Sequence, residues 1–371
     1  MTTAQAAGGS TGGSGEGSAG ASADGRGPGA GGGPESAADL LARTRAAVDP
    51  RLRETVDSLP GQVRRIARYH FGWEQADGTP STAPSGKALR PALVLAAAQA
   101  LGGDPQHAER AAAAVELAHN FTLLHDDVID EDPTRRNRPT AWTVFGIADA
   151  IVVGDAMCAL SLQVLAQDPH PASAKASARL AACIIELCAG QQADCAFEQR
   201  APQDVTIDEC LTMAEAKTGA LLGCACALGA LYAGAGDEEV EAMDAFGREA
   251  GLAFQLIDDL IGIWGDPAHT GKPAGADLVA HKKSLPVVAA MASGSPAAAE
   301  LAELYRGPAM DAGTVRRAAD AVERAGGRDW AQSQAADRMA RAVDHLSRAV
   351  PDLGAADELL ALAEFVTRRT R

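Results

Sequence analysis

Aromatic residues make up only 4% of this 371-residue chain, and its first 36 residues contain no Leu, Ile, Val or aromatic residue at all. That opening stretch is nearly all Gly, Ser, Ala and Thr, and a segment with nothing to bury cannot offset its ordering entropy. Residues 1–36 therefore read as a disordered tail in front of one large domain, residues 37–371. The tail also lacks the cationic start and apolar run of a secretory signal and the arginines of an organelle transit peptide. Basic residues are in short supply: 33 Lys and Arg stand against 49 Asp and Glu, a formal charge of -16. A nucleic-acid or anionic-membrane role is disfavoured on that balance, and an acidic protein with anionic substrates must bring cations. The seven cysteines form no CxxC pair and have no neighbouring His, so they read as reduced core thiols in a cytoplasmic protein. The longest uncharged run, residues 218–236, is dominated by Gly, Ala and Cys and reads as a buried helix rather than a membrane span.

No alternation of period two is long enough to support a sheet. From about residue 37 the chain is instead rich in Ala, Leu, Glu, Asp and Arg, which favours an all-α fold. Turn signals at Asn137-Arg138-Pro139, Asp168-Pro169, Ala201-Pro202, residues 234–237, Asp266-Pro267 and residues 294–296 divide this body. Helices are expected over about 105–130, 140–166, 173–199, 206–233 and 238–264, with shorter ones to the end. Helices this long, apolar on more than one face, pack as a bundle around a central cavity.

Two constellations carry chemistry. Near the C-terminal end of the first of these helices, His119, Leu123, Asp126 and Asp130 fall on one stripe at about 3.6 residues per turn. Two carboxylates one turn apart repel unless a divalent cation lies between them, and Mg²⁺ is typically held by a few carboxylates plus substrate phosphate oxygens. A merely solvated acidic end is disfavoured, because acid at a helix C-terminus opposes the macrodipole. The second constellation, Phe254-Gln255-Leu256-Ile257-Asp258-Asp259, also ends a long apolar helix. Each pair precedes a cationic loop, Arg135-Arg136 after the first and Lys272 with Lys282-Lys283 after the second. Carboxylates for metal beside cations for phosphate describe a diphosphate site.

From about residue 60 onward the chain resembles the trans-isoprenyl diphosphate synthase, or polyprenyl synthetase, family, most of all its actinobacterial members. The blocks that carry the resemblance occur in family order: Gly86-Lys87 with Arg90-Pro91, Glu116 with His119, Asp126-Asp127 with Asp130 and Arg135-Arg136, and Gly154-Asp155-Ala156. They continue with Gly190-Gln191 and Asp194, Lys217-Thr218, Phe254-Gln255 with Asp258-Asp259, Gly271-Lys272 with Asp277, and Lys282-Lys283-Ser284. The resemblance implies an isoprenoid synthase type helical bundle that elongates an allylic diphosphate with isopentenyl diphosphate and releases pyrophosphate. Product of farnesyl or geranylgeranyl length is favoured. It implies Asp126, Asp130 and Asp258 as ligands of Mg²⁺, three ions per site with substrate bound, supported by Asp127, Asp194 and Asp259. Arg135, Lys217 and Lys272 would hold the allylic diphosphate, and Lys87, Arg90, His119 and Arg136 the isopentenyl diphosphate. Thr218 and Gln255 would place oxygens near the developing carbocation, and Phe121, five residues before Asp126, would act as a floor that limits chain length. His125 is expected to be a neutral neighbour and not a base.

A homodimer is also implied, as is a tail that tethers the enzyme to an encapsulin-like shell, set against a neutral extension. The second motif departs from the family pattern, because Gly262 stands where a third Asp is usual. Restoring Asp at 262 is expected to leave activity similar or to raise it. Two other classes were weighed. A class I terpene cyclase needs an Asn or Asp, then Ser or Thr, then Glu on one helix, which residues 254–270 do not offer. A non-catalytic binding homologue would have lost the substrate cations that this chain retains.

Overall fold

The computed structural model describes residues 36–81, 86–266 and 274–367, so the tail, apart from Ser36, lies outside the described residues. Helix α1 (Ala37–Asp57) starts at Ser36, whose hydroxyl accepts the Asp39 N–H at 3.2 Å. Then come α2 (Gly61–His70), α3 (Leu89–Ala100) and α4 (Glu109–Ile129), the last led in by a 3₁₀ turn over Pro105–Ala108. The helix expected over 140–166 is divided at Gly146, whose φ of 97° is left-handed, into α5 (Ala141–Phe145) and α6 (Ile147–Ala166). Helices α7 (Ser173–Glu198), α8 (Ile207–Ala214), α9 (Ala220–Tyr232) and α10 (Asp237–Trp264) follow the expected boundaries closely. Shorter helices cover Leu285–Ala292, Pro296–Arg306, Ala312–Arg324 and Asp357–Thr367, but Gly327–Ala349 is a long one that composition did not single out.

Among the described residues the only strands are β1 (Thr134–Arg135) and β2 (Arg138–Pro139), paired antiparallel. Arg136 and Asn137 between them both have positive φ, 53° and 60°, as a two-residue hairpin turn requires. This hairpin sends the adjacent arginines 135 and 136 in different directions, which matters for the site.

Every residue of α9 is buried, in keeping with a helix that lies inside the bundle. Among the described residues two helical stretches are long and apolar enough to cross a membrane, Ile147–Ala166 and Ile207–Tyr232, and the second is 83% buried within the protein over its apolar window. The close approach of α9 to α10 depends on glycine. A Cβ at Gly247 would lie 2.7 Å from Gly223 Cα, and one at Gly251 would lie 2.7 Å from Gly219 Cα. Real Cβ atoms do not tolerate that distance, so even alanine would force the helices apart. Arg248 then ties the pair to α7, donating to Glu186 at 2.6 and 2.9 Å and to Asp244 at 2.6 Å. Cys183, Cys210, Cys224 and Cys226 are buried free thiols, as expected; Cys188 is exposed and Cys195 half-buried, because both face a cavity.

Candidate active site

A cavity of about 910 Å³ opens among α3, α4, α7, α10 and the segment 282–285. The end of α4 places Asp126 and Asp130 in its wall. Burial pushes the Asp126 carboxyl up to about 6, against the pull of the Lys217 ammonium, and burial raises Asp130 as well. Asp127, about 100° around the helix, turns away: it is 1% exposed, and its Oδ1 accepts from Arg135 Nε at 2.6 Å. Asp127 thus anchors Arg135, whose side chain reaches the cavity, rather than lining the cavity itself.

The second aspartate pair divides by exposure, although both of its residues line the cavity. Asp258 is exposed to the cavity. Asp259 is 3% exposed and pushed up to about 6 by burial, with Lys282 pulling the other way. Its oxygens accept from the Leu285 N–H at 2.9 Å and Gln255 Nε2 at 2.8 Å. Gln255 Oε1 in turn accepts from Thr218 Oγ1 at 2.8 Å. Thr218 and Lys217 sit in a π turn, Glu215–Gly219, inserted between α8 and α9. Such a bulge re-aims side chains that a regular helix would spread around its axis, and both residues line the cavity. Lys217 Nζ donates to Asp194 Oδ2 at 2.5 Å. That contact needs α7 tight against the turn, and Gly190 provides it: a Cβ there would be 2.5 Å from the Lys217 nitrogen.

Of the four residues expected to hold the second diphosphate, Arg90 and His119 line the cavity and Lys87 and Arg136 do not. Burial lowers Arg90 to about 10, so it stays charged at neutral pH, with the Glu116 carboxylate opposing the shift. Burial and the nearby Arg90 charge hold His119 well below the ordinary imidazole range, so it is neutral. The hairpin turns Arg136 beneath Gly86, where an added Cβ would be 2.7 Å from its Nη2. The Lys87 ammonium lies 5.7 Å from the centre of the Phe365 ring. Lys272 lies outside the described residues. Phe121 does line the cavity, with its ring edge-on to His125 at 5.8 Å. The His125 Nε2 lies 3.1 Å from the Ile151 carbonyl oxygen.

One cavity residue, Lys282, had been noted only as part of a cationic loop. Its ammonium lines the cavity 3.8 Å from Asp259 Oδ1 and 4.0 Å from Asp277 Oδ2. The one sequence signal was a Lys-Lys pair 23 residues after the second aspartates. A Cβ at Gly262 would meet the end of the Asp277 side chain, 2.8 Å from its Oδ1, so an Asp at 262 requires that carboxylate to turn aside.

Among the described residues no three ligating side chains already form a closed metal site. The donors still suit Mg²⁺, which takes one or two carboxylates and completes its shell with waters and substrate phosphates. The raised Asp126 carboxyl marks a charge that a bound cation would relieve.

Two aspartate walls, lysines and arginines around one cavity inside a helical bundle define a metal-assisted transferase of prenyl diphosphates. The polyprenyl synthetase pattern matches residues 78–324. The geranylgeranyl diphosphate synthase of Mycobacterium tuberculosis is 48% identical over 332 residues, 89% of this chain and 93% of the relative. The (2E,6E)-farnesyl diphosphate synthase of the same organism is 43% identical over 336 residues, 89% and 92% of the two chains. A crystal structure of polyprenyl synthetase from Streptomyces coelicolor A3(2) superposes with a TM-score of 0.84 at 42% identity, over 88% of this chain and 98% of that one. The structure of geranylgeranyl pyrophosphate synthase from Corynebacterium glutamicum, complexed with calcium and isoprenyl diphosphate, has a TM-score of 0.72 at 30% identity, over 89% and 97%. The chain belongs to the polyprenyl synthetase family and is an isoprenyl diphosphate synthase, a trans-prenyltransferase of isoprenoid biosynthesis.

Proposed function

We propose that this cavity joins an allylic diphosphate, ionised against the Asp126, Asp130 and Asp258 walls, to isopentenyl diphosphate held from the side of Arg90 and His119. The observation that carries the reading is the convergence of both aspartate motifs, Lys217 and Arg90 on a single cavity. The allylic C–O bond breaks with its electron pair going to the departing diphosphate. Lys217, Arg135 and Lys282 offset the charge that grows there. Mg²⁺, three ions with substrate bound, would supply further charge neutralisation at Asp126, Asp130 and Asp258. The alkene of isopentenyl diphosphate donates its π pair to the allylic C1, and the resulting cation loses a proton to the released diphosphate. Thr218 and Gln255 present oxygen atoms beside this charge, and neutral His119 holds phosphate oxygens without acting as a base. Lys87, Arg136 and Lys272 complete the two diphosphate sites. Asp127, Asp194 and Asp259 fix Arg135, Lys217 and Gln255.

The product is of farnesyl or geranylgeranyl length, the lengths named for the relatives at 43% and 48% identity, with Phe121 as the floor. The protein is a cytoplasmic homodimer. Support for the dimer is the exposed apolar face of α6 and α7, where Ile147, Ile151, Val152 and Ile185 stand in solvent. The tail of residues 1–36 is a flexible tether, with loading into an encapsulin-like shell as its use.

The test of the reaction is pyrophosphate release by purified protein with Mg²⁺. Release that needs both diphosphates supports the synthase, release from the allylic substrate alone indicates a cyclase, and no release indicates a binding protein.

A further inference from the structure

Lys217 and Thr218 line the cavity from the π turn Glu215–Gly219, and that turn is held from behind by a residue outside the cavity lining. Arg248 lies on α10, ten residues before Asp258. Its guanidinium forks onto both carboxylate oxygens of Glu186 on α7, at 2.6 and 2.9 Å, while its Nε donates to Asp244 at 2.6 Å. Arg248 Nη1 also lies 3.6 Å from Glu215 Oε1, at the first residue of the turn. The last residue of the turn meets the Arg248 backbone: a Cβ on Gly219 would be 3.2 Å from the Arg248 carbonyl oxygen. One residue thus touches both ends of the turn, the first by charge and the last by close packing. The i→i+5 bonding of a π turn is rare outside single-turn bulges, so its shape depends on support of this kind. Between the two held ends stand Lys217, which donates to Asp194 at 2.5 Å, and Thr218, which donates to Gln255 at 2.8 Å.

We propose that Arg248 is a positioning residue for departure of the allylic diphosphate: it clamps Glu215 to Glu186 and Asp244, and so fixes the π turn that aims Lys217 and Thr218 into the cavity. Lys217 and Thr218 carry here the roles given them under Proposed function, on which this inference rests. The position calls for a guanidinium, because three carboxylates, from α7, α10 and the turn, are gathered by one planar fork. An ammonium is a point charge on a flexible stem and cannot hold all three in one geometry. Arg90 and His119, on α3 and α4, lie on other elements than the turn, so the side that receives isopentenyl diphosphate does not depend on the clamp.

Glu215→Gln tests the clamp with the least damage, since the Glu215 side chain is 44% exposed and an exposed pair contributes little to overall stability. The sign of its effect separates positioning from a general charge effect. If Glu215 were only a negative charge near an anion site, its neutralisation would raise kcat/KM for the allylic diphosphate. If Glu215 holds the turn, neutralisation lowers kcat/KM even though a repulsive charge has been removed. The measurement is steady-state pyrophosphate release by the full chain with Mg²⁺, each substrate varied in turn, with melting temperature followed in parallel. Glu215→Gln is expected to lower kcat/KM for the allylic substrate about 3- to 5-fold, with KM for isopentenyl diphosphate and melting temperature near wild type. Arg248→Lys conserves the charge but not the fork, and is expected to lower the same constant about tenfold. In a Lys217→Ala background Glu215→Gln has no further effect. Native-state hydrogen exchange should quicken at the amides of residues 215–220 in Glu215→Gln and stay as in wild type over the rest of α9. A higher allylic kcat/KM in Glu215→Gln, a rise in KM for isopentenyl diphosphate as large as the allylic loss, full activity in Arg248→Lys, unchanged exchange at the turn, or additive effects of the Glu215 and Lys217 substitutions would each overturn the proposal. Wild-type protein that releases no pyrophosphate with both diphosphates present would overturn the reading of the site itself, and the inference with it.

Discussion

Arg90 offers the sharpest separation of the two substrates, and the informative change is to lysine. The guanidinium is buried in the cavity wall with the Glu116 carboxylate beside it, and burial also raises the Glu116 carboxyl. Alanine would leave Glu116 buried without its cation, an effect of about 3 to 5 kcal/mol. Set against a total stability of about 5 to 15 kcal/mol, that loss would confuse binding with folding. Lysine keeps the charge beside Glu116 and removes only the forked donor with which a guanidinium can grip two phosphate oxygens at once. A hydrogen bond to a charged group contributes about 1.5 to 3 kcal/mol, so losing one raises KM about 10- to 150-fold. The lower end is expected for Arg90→Lys, because its ammonium retains one contact. Steady-state rates with one substrate saturating and the other varied give the two constants separately. KM for isopentenyl diphosphate should rise about tenfold while KM for the allylic substrate stays near wild type and the melting temperature is unchanged. Equal increases for both substrates would refute the division of the cavity into two diphosphate sites.

Asp126→Ala should cut turnover at least about 100-fold at saturating Mg²⁺ and leave the metal-free protein as stable or more so, because it removes a carboxyl whose charging burial opposes; near wild-type turnover would refute the metal assignment. His70, at the end of α2, has its Nε2 buried, and its pKa is lowered to about 3, chiefly by burial and then by the nearby Arg136 and Arg135 charges, against a hydrogen bond with Asn120. Below its unfolded value of about 6.5 the unfolded chain binds a proton that the folded chain does not, so stability falls by about 1.4 kcal/mol per pH unit from pH 6.5 toward pH 3. His70→Gln should flatten denaturant-measured stability across that window relative to wild type, and an identical pH dependence would refute the reading. Phe121→Ala should lengthen the product by at least one five-carbon unit, read by mass spectrometry of the dephosphorylated lipid, together with a lower melting temperature; an unchanged product distribution would remove Phe121 as the floor.

The long helices and both aspartate motifs were legible because apolar periodicity and unusual acid at a helix end are local signals. The 3.6-residue repeat also put Asp126 and Asp130 on one face, which the structure bears out, and by the same geometry left Asp127 off it. What sequence could not supply were relations between segments. The π turn at Glu215–Gly219 leaves the composition of the helix unchanged but decides where Lys217 and Thr218 point. Arg135 and Arg136 look equivalent in sequence, yet the hairpin brings one to the cavity and puts the other under Gly86. The glycines at 219, 223, 247 and 251 read as interruptions in apolar helices, although their use is to let two helices touch.

The two aspartate walls differ in how their charge is balanced. On α4, Asp126 and Asp130 share one turn, and Lys217 is the cation that most lowers both. Among the described residues neither carboxylate accepts from a backbone N–H, and both stand open to the cavity. On α10, Asp259 is already met by a backbone N–H, an amide and Lys282 before any substrate arrives. Asp258 and Asp259 both line the cavity, and Asp258 is the exposed one of the pair. Around the α4 pair, Asp194 from α7 and Asp132 add further negative charge, and both line the same cavity. On α10 the position one turn beyond Asp258 abuts the segment that carries Asp277, so an acid from elsewhere in the chain can stand there. Gly262 thus lies at the wall whose charge the fold itself balances, with the Asp277 carboxylate against it.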